Sequence, residues 1–170
     1  TSPITLDSVT GGSNGELLFS DGTTQSRGAF GSNTLTLTVH TDVAAGTTYK
    51  FSFVVTNPSS AQTAPTVNIE ASGSGTIASG AMTQPGTALY GVTNGGNALL
   101  VVVPTFTTKA IGQSTPAAGK SNTITVTLAT DMDLKAADSS VVTISALDGV
   151  SETSPITLDS VTGGSNGELL

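Results

Sequence analysis

Residues 121–131 read SNTITVTLATD, and apolar and hydroxyl side chains alternate through this stretch without a break. Ile124, Val126 and Leu128 are expected on one face of an extended chain, with threonines on the other. This period of two predicts a strand of an antiparallel sheet that packs on one face and meets water on the other. Threonine suits such a strand because its β-branched side chain fits the pleated surface.

The same pattern recurs along the chain. Residues 32–42 read SNTLTLTVHTD, and residues 49–56 and 142–146 also alternate. The continuous apolar run Leu99–Val103 predicts a central strand covered on both faces. Turn-forming pairs such as Asp148-Gly149 separate these segments, and no stretch has a helical period. The sequence therefore predicts an all-β protein, built as an antiparallel β-sandwich.

An internal duplication divides the chain into two related modules. Residues 32–42 align with 121–131 at an offset of 89, and residues 64–75 align with 154–165 at an offset of 90. We predict a larger module over 17–103, which carries a Gly-rich insert at 73–97, and a smaller module over 104–170. The smaller module is short for an independent sandwich, so it is expected to share strands with a neighbour.

An exact 18-residue repeat joins the two ends of the sequence. Residues 1–18 and 153–170 both read TSPITLDSVTGGSNGELL. Self-similarity at a fixed offset favours a tandem array with a period of 152 residues, and the alternative is an artificial copy of one terminal segment. In the array, residues 1–16 are the end of the preceding small module, a strand shared between repeats. The predicted assembly residues are Pro3, Ile4, Leu6, Val9, Pro155, Ile156, Leu158 and Val161.

The composition excludes several functional classes. Of 170 residues, only 10% are charged and 4% are aromatic, whereas 51 are Ser or Thr. The net charge of -7 offers no basic surplus for nucleic acid, and no apolar run is long enough for a membrane span. The absence of cysteine excludes disulfides and thiolate metal sites. Regular apolar periodicity does not fit a disordered tail.

No set of residues points to catalysis, and we do not expect an enzyme. His40 is the only histidine, and it lies on the threonine face of a predicted strand, where a surface role is favoured over a catalytic base. Asp131, Asp133 and Asp138 are weak calcium candidates, because Ca²⁺ binds clustered oxygen ligands. The favoured alternative is that they are solvated loop carboxylates, since the spacing is not that of an EF-hand. No other cofactor is expected.

Glycosylation is expected on hydroxyl groups rather than on asparagine. The triplet Asn57-Pro58-Ser59 has proline in the middle, which blocks N-glycosylation. The outward threonine rows are candidates for O-glycans, although threonine is also an ordinary strand residue. The candidates are Thr34, Thr36, Thr38, Thr123, Thr125 and Thr127.

Three stretches carry a resemblance to a known family. They are AAGTTYKFSFVVTNP at 44–58, APTVNIEASG at 64–73 and PTFTTKAIGQSTPAAGKSNTITVTLATD at 104–131. They resemble units of giant tandem-repeat surface proteins of algae and other protists, and bacterial repeat adhesins have a similar composition. The resemblance implies immunoglobulin-like β-sandwiches in an extracellular, glycosylated, fibrous protein. It implies no active site.

Two functional hypotheses follow. The first is a structural repeat unit of an extracellular filament, whose partners are further copies of itself joined by tandem linkage or strand sharing. The alternative is an adhesin or a carbohydrate-binding stalk domain, which would need an exposed aromatic platform or a clustered polar pocket. Phe30 and Tyr90 are the candidates for that platform, and local packing is their favoured alternative role.

Overall fold

A computed structural model describes residues 2–159 of the chain, and these residues are β-structured. The all-β prediction is confirmed at this level, with small antiparallel sheets and two short 3-10 helices at Gly15–Leu18 and Ala136–Asp138. No helix among the described residues has the length and apolar character needed to cross a membrane. The strands are β1 (Ser2–Thr5), β2 (Asp7–Ser8), β3 (Phe19–Ser20), β4 (Arg27–Gly31), β5 (Thr34–Thr36), β6 (Thr38–Val39), β7 (Phe51–Ser52), β8 (Asn68–Ala71), β9 (Ile77–Ala81), β10 (Phe106–Gln113) and β11 (Ile124–Thr130).

The chain divides into two compact units between Asn57 and Pro58. The boundaries predicted at 16/17 and 103/104 stay predictions. In the first unit, the strands form a three-stranded sheet of order β1-β4-β5 and two further pairs, β2-β7 and β3-β6, all antiparallel. The aligned stretch 32–42 therefore pairs with the chain that precedes it, through β5 and β6.

A tight turn connects β4 to β5. Gly31 pairs with Thr34, and the two residues between them, Ser32 and Asn33, have φ values of 49° and 60°. Two successive left-handed residues form the turn type that matches the twist of a hairpin. Serine is an uncommon residue in this conformation, whereas asparagine tolerates it well.

The core of the first unit is small. Leu6 and Leu18 are its buried apolar side chains in the described part of the chain, and Leu6 is only 2% exposed. Leu35 and Leu37 are half-buried and the threonines between them are exposed, as the alternation predicts, whereas Val39, expected on the same face, is 59% exposed. Gly28 leaves the space that these two leucines fill, because a Cβ built there would lie 2.6 Å from Leu35 Cδ1 and 2.7 Å from Leu37 Cδ2.

The second unit contains two antiparallel pairs, β8-β9 and β10-β11. The aligned stretch 121–131 again pairs with the chain before it, since β11 runs antiparallel to β10 from Phe106↔Thr130 to Gln113↔Ile124. Here the Ser-Asn pair does not form the turn. Asn122 Oδ1 instead accepts hydrogen bonds from the backbone N–H groups of Ser114 and Thr115, both at 3.1 Å. A Ser-Asn pair thus forms a two-residue turn in the first unit, whereas the aligned Ser-Asn pair belongs to a ten-residue loop in the second.

Three strand predictions are wrong in whole or in part. Of residues 49–56, only Phe51–Ser52 form a strand, and Phe53 and Val55 are 41% and 42% exposed.

The run Leu99–Val103 is not a strand: Leu99 has a φ of 63°, and only Val101 pairs, in a bridge with Gln62. Nor is the run covered on both faces, since Val102 and Val103 are exposed. Residues 142–146 also form no strand, and Ala146 has a φ of 60°. In β11, the side chains expected to face inward remain between 41% and 47% exposed, namely Ile124, Val126 and Leu128.

Because Gly28 has no room for a side chain, we expect a substitution there to lower stability. Gly28→Ala is expected to destabilise the first unit by about 1–3 kcal/mol, because both leucines must move to admit the methyl group. Chemical denaturation followed by circular dichroism measures the loss. Gly80→Ala in β9 is the matched control, since nothing lies within 4 Å of its Cβ position. That control is expected to be neutral or slightly stabilising, and an equal loss in both variants would contradict the packing argument.

Candidate assembly site

The first copy of the repeated segment is folded into the first unit. β1 pairs with β4 through Ser2↔Phe30, Pro3↔Ala29, Ile4↔Gly28 and Thr5↔Arg27. The N–H of Leu6 then donates to the carbonyl oxygen of Ser26 at 2.8 Å, and β2 pairs with β7 through Asp7↔Ser52 and Ser8↔Phe51. The segment therefore contacts two different strands, because its partner changes at the buried Leu6.

Residues 9–18 close over the backbone of Lys50. A Cβ built on Gly12 would lie 2.9 Å from the Lys50 Cβ, and one on Gly15 would lie 2.5 Å from the Lys50 carbonyl oxygen. Neither position therefore has room for a side chain. The carbonyl oxygen of Leu18 accepts hydrogen bonds from the N–H groups of His40, at 2.8 Å, and Thr41, at 3.2 Å. From Ser2 to Leu18, the segment is thus held at several points by residues 19–57.

The second copy of the segment has a different environment. Residues 153–159 contain no strand, and every one of them is exposed. Ile156, the counterpart of the half-buried Ile4, is 64% exposed, and Leu158, the counterpart of Leu6, is 58% exposed. Val161 lies outside the described residues. Of the predicted assembly residues, Ile4, Leu6 and Val9 are buried or half-buried, whereas Pro3 and Pro155 are exposed.

The acidic loop candidates contact protein groups rather than one another. Asp131 accepts hydrogen bonds from the Thr105 N–H at 2.8 Å and the Thr105 hydroxyl at 2.6 Å. The Thr105 hydroxyl and N–H together hold the pKa of the Asp131 carboxyl below its ordinary value. Asp133 pairs with Lys135 at 2.6 Å. Within residues 2–159, no three acidic or histidine side chains gather as a metal-binding group.

A shallow hollow lies around Tyr90 in the second unit. Its lining includes Tyr90, Asp133, Lys135 and Asp138, and its volume is about 600 Å³. A hydrogen bond to Asp138, together with the negative charge of that residue, raises the pKa of the Tyr90 hydroxyl. The Lys135 ammonium lies 5.9 Å from the centre of the Tyr90 ring. The Tyr90 side chain therefore interacts with Asp138 and Lys135 of the same unit.

The remaining candidate residues lie on strands or directly beside them, His40 after β6 and Thr123 before β11. Phe30, in β4, is 36% exposed, and His40 is also exposed. Of the O-glycan candidates, Thr125 is half-buried, and the exposed ones are Thr34, Thr36, Thr38, Thr123 and Thr127. Sequence reasoning missed Gly28 and Lys50, whose importance depends on close approaches between distant segments. The glycines of GGSNG, present in both copies, were the available signal for the approach to Lys50.

Comparison of the chain with protein-family models, with curated proteins and with solved structures found no match.

The contacts of Asp131 lead to a prediction about pH. Because its pKa is lowered in the folded chain, its contribution to stability is present above the ordinary carboxyl pKa and is lost as the pH falls through the lowered value. Asp131→Asn is therefore expected to lower the denaturation midpoint at pH 7, and the difference from the natural sequence should shrink below about pH 4.

Two further variants test the cause. Thr105→Val keeps the backbone donor and removes the hydroxyl, so it should reproduce part of the effect. Asp148→Asn removes the same charge from an exposed turn and should leave the acid limb of the stability curve unchanged. A constant difference between Asp131→Asn and the natural sequence from pH 7 to pH 2 would contradict the assignment.

Proposed function

We propose that this chain is a structural repeat unit of an extracellular filament, in which immunoglobulin-like β-sandwich modules follow one another head to tail. One observation carries the proposal. The same 18 residues stand at both ends of the sequence, and the first copy is an integral part of the unit that follows it. A chain in which each period ends with the segment that begins the next is expected to continue as an array.

Unsatisfied surfaces support self-assembly. Within residues 2–159, the sheets have two or three strands, so most of these strands have a free edge, and free edges are templates for pairing with another chain. Large apolar side chains also remain exposed in both units, among them Val54, Ile69 and Val141. Neighbouring modules of an array would cover such surfaces. The separate pairing of 32–42 and 121–131 with the chain before each supports two related modules per period.

Charge supports an extended array over a collapsed one. One period carries ten acidic and five basic residues, because Asp159 and Glu168 duplicate Asp7 and Glu16. Each added period therefore adds net negative charge, which keeps a long polymer soluble and opposes side-by-side association. Exposed threonine rows on β5, β6 and β11 offer attachment points for O-glycans, which would reinforce the same effect.

Array length provides the test of the filament proposal. Chains of three periods are expected to denature at a higher midpoint than the 170-residue chain, because each junction adds a stabilising interface. Small-angle scattering should show a maximum dimension that grows in proportion to the number of periods. Equal midpoints for one and three periods would contradict stabilising junctions, and a compact three-period particle would contradict the filament.

The threonine rows lead to a prediction about modification. In protein isolated from its natural source, peptides covering 32–42 and 121–131 are expected to carry mass additions of hexose size. The exposed Thr34, Thr36 and Thr38 should be modified more fully than the half-buried Thr125, because a transferase must reach the hydroxyl. Mass spectrometry with electron-transfer fragmentation assigns the sites. Unmodified peptides, at a repeat mass matching the bare sequence, would contradict glycosylation.

A further inference from the structure

We propose that residues 19–57 form an acceptor site for residues 153–170 of a second copy of this chain, which would bind in the place and register of residues 1–18. This inference rests on the proposed function, because the contact that it describes would connect neighbouring units of the filament. It goes further by naming the occupant, the acceptor and the pairing.

The acceptor is defined by the contacts of the first copy of the segment. It consists of the edge of β4, the carbonyl oxygen of Ser26, β7 and the backbone of Lys50. Because residues 153–170 are identical in sequence to the segment already bound there, they could make every one of these contacts in its place.

The register follows directly from the observed pairing. Ser154, Pro155, Ile156 and Thr157 would lie opposite Phe30, Ala29, Gly28 and Arg27 of the second copy, as their counterparts in β1 do. Leu158 would take the buried position of Leu6, with its N–H on the Ser26 carbonyl oxygen. Asp159 would lie opposite Ser52, as Asp7 does.

Exposure shows what docking at a vacated acceptor would gain. In residues 153–159, Ile156 is 64% exposed and Leu158 is 58% exposed, whereas Leu6 is 2% exposed in the acceptor. Where the acceptor's own residues 1–18 are displaced, docking therefore removes apolar surface from water without requiring any new type of contact. Backbone donors and acceptors of 154–159 also gain the ladder partners that their counterparts have in β1 and β2.

Competition decides when the joint forms. Residues 1–18 belong to the same chain as the acceptor, so their effective concentration at it is far higher than that of a second copy. Exchange is therefore expected to become visible when the chain's own segment is weakened and the segment at 153–170 is intact. Strand addition to a sheet edge is an established way for one chain to bind another.

The test uses the full 170-residue chain with Leu6→Asp, which weakens the chain's own segment. Light scattering after size exclusion is expected to show oligomers in steps of 16.8 kDa that grow with concentration. Adding Ile156→Asp should return the chain to a monomer. Val150→Asp is the matched control, because Val150 is 63% exposed but lies before the repeated segment, and it should leave the oligomers intact. Oligomers that survive Ile156→Asp would overturn the proposal.

A peptide keeps the test decisive if the first unit of Leu6→Asp fails to fold alone. The synthetic peptide TSPITLDSVTGGSNGELL should bind this variant and restore its β-sheet circular dichroism, whereas a peptide with Asp at its sixth position should not. A variant that neither oligomerises nor binds the first peptide would overturn the proposal. If three-period chains are still stabilised and extended in that case, the filament proposal stands with covalent linkage as its only joint.

Cross-linking tests the register. The chain has no cysteine, so Arg27→Cys and Thr157→Cys in the Leu6→Asp background introduce a single reactive pair. This pair is expected to form an intermolecular disulfide at least tenfold faster than Arg27→Cys with Ser154→Cys, which places the second thiol three residues out of register. Equal rates for the two pairs would overturn the proposed register.

Discussion

The packing of Leu6 against residues 19–57 is the contact on which the first unit depends. It is the most deeply buried apolar side chain of a small core, and it lies where its strand leaves β4 and turns to β7. Burying one leucine contributes about 2 kcal/mol, which is a large share of the stability of a unit this size.

The same alternating strand pattern is preceded by a different connection in each of the two units. Ser32 and Asn33 form a turn of two residues, whereas Ser121 and Asn122 end a long loop and hold it with a side-chain amide. In both cases the alternating stretch that follows pairs with the chain before it. The loop thus differs in length between the two pairs while the antiparallel pairing is the same. This is expected, because surface loops tolerate insertions, whereas strand pairing is fixed by the side-chain pattern.

Alternation in the sequence was enough to predict strands at 34–39 and 124–130, because a period of two is a local property. Alternation failed at 142–146, which form no strand, and over most of 49–56, where only Phe51–Ser52 do. The apolar run Leu99–Val103 has no period, and its content alone did not indicate the left-handed residue at Leu99. The clearance at Gly28 and the contact between Thr105 and Asp131 could not be predicted, since each joins residues from different segments. The 18-residue identity indicated the assembly segment. It could not indicate the surface that the segment contacts, because that surface is formed by strands distant in sequence, β4 and β7.

The contact between Thr105 and Asp131 has a mechanical consequence. β10 and β11 form a hairpin, so the chain enters and leaves the pair at the same end. Tension along the chain would open such a pair one hydrogen bond at a time, beginning at that end. Three hydrogen bonds between Thr105 and Asp131 are placed there, outside the last strand pair, and would carry the load before the ladder does. Asp131 therefore opposes the separation of β10 from β11 at the end where tension would act. Few apolar side chains are buried among the described residues, so their packing adds little resistance to this separation.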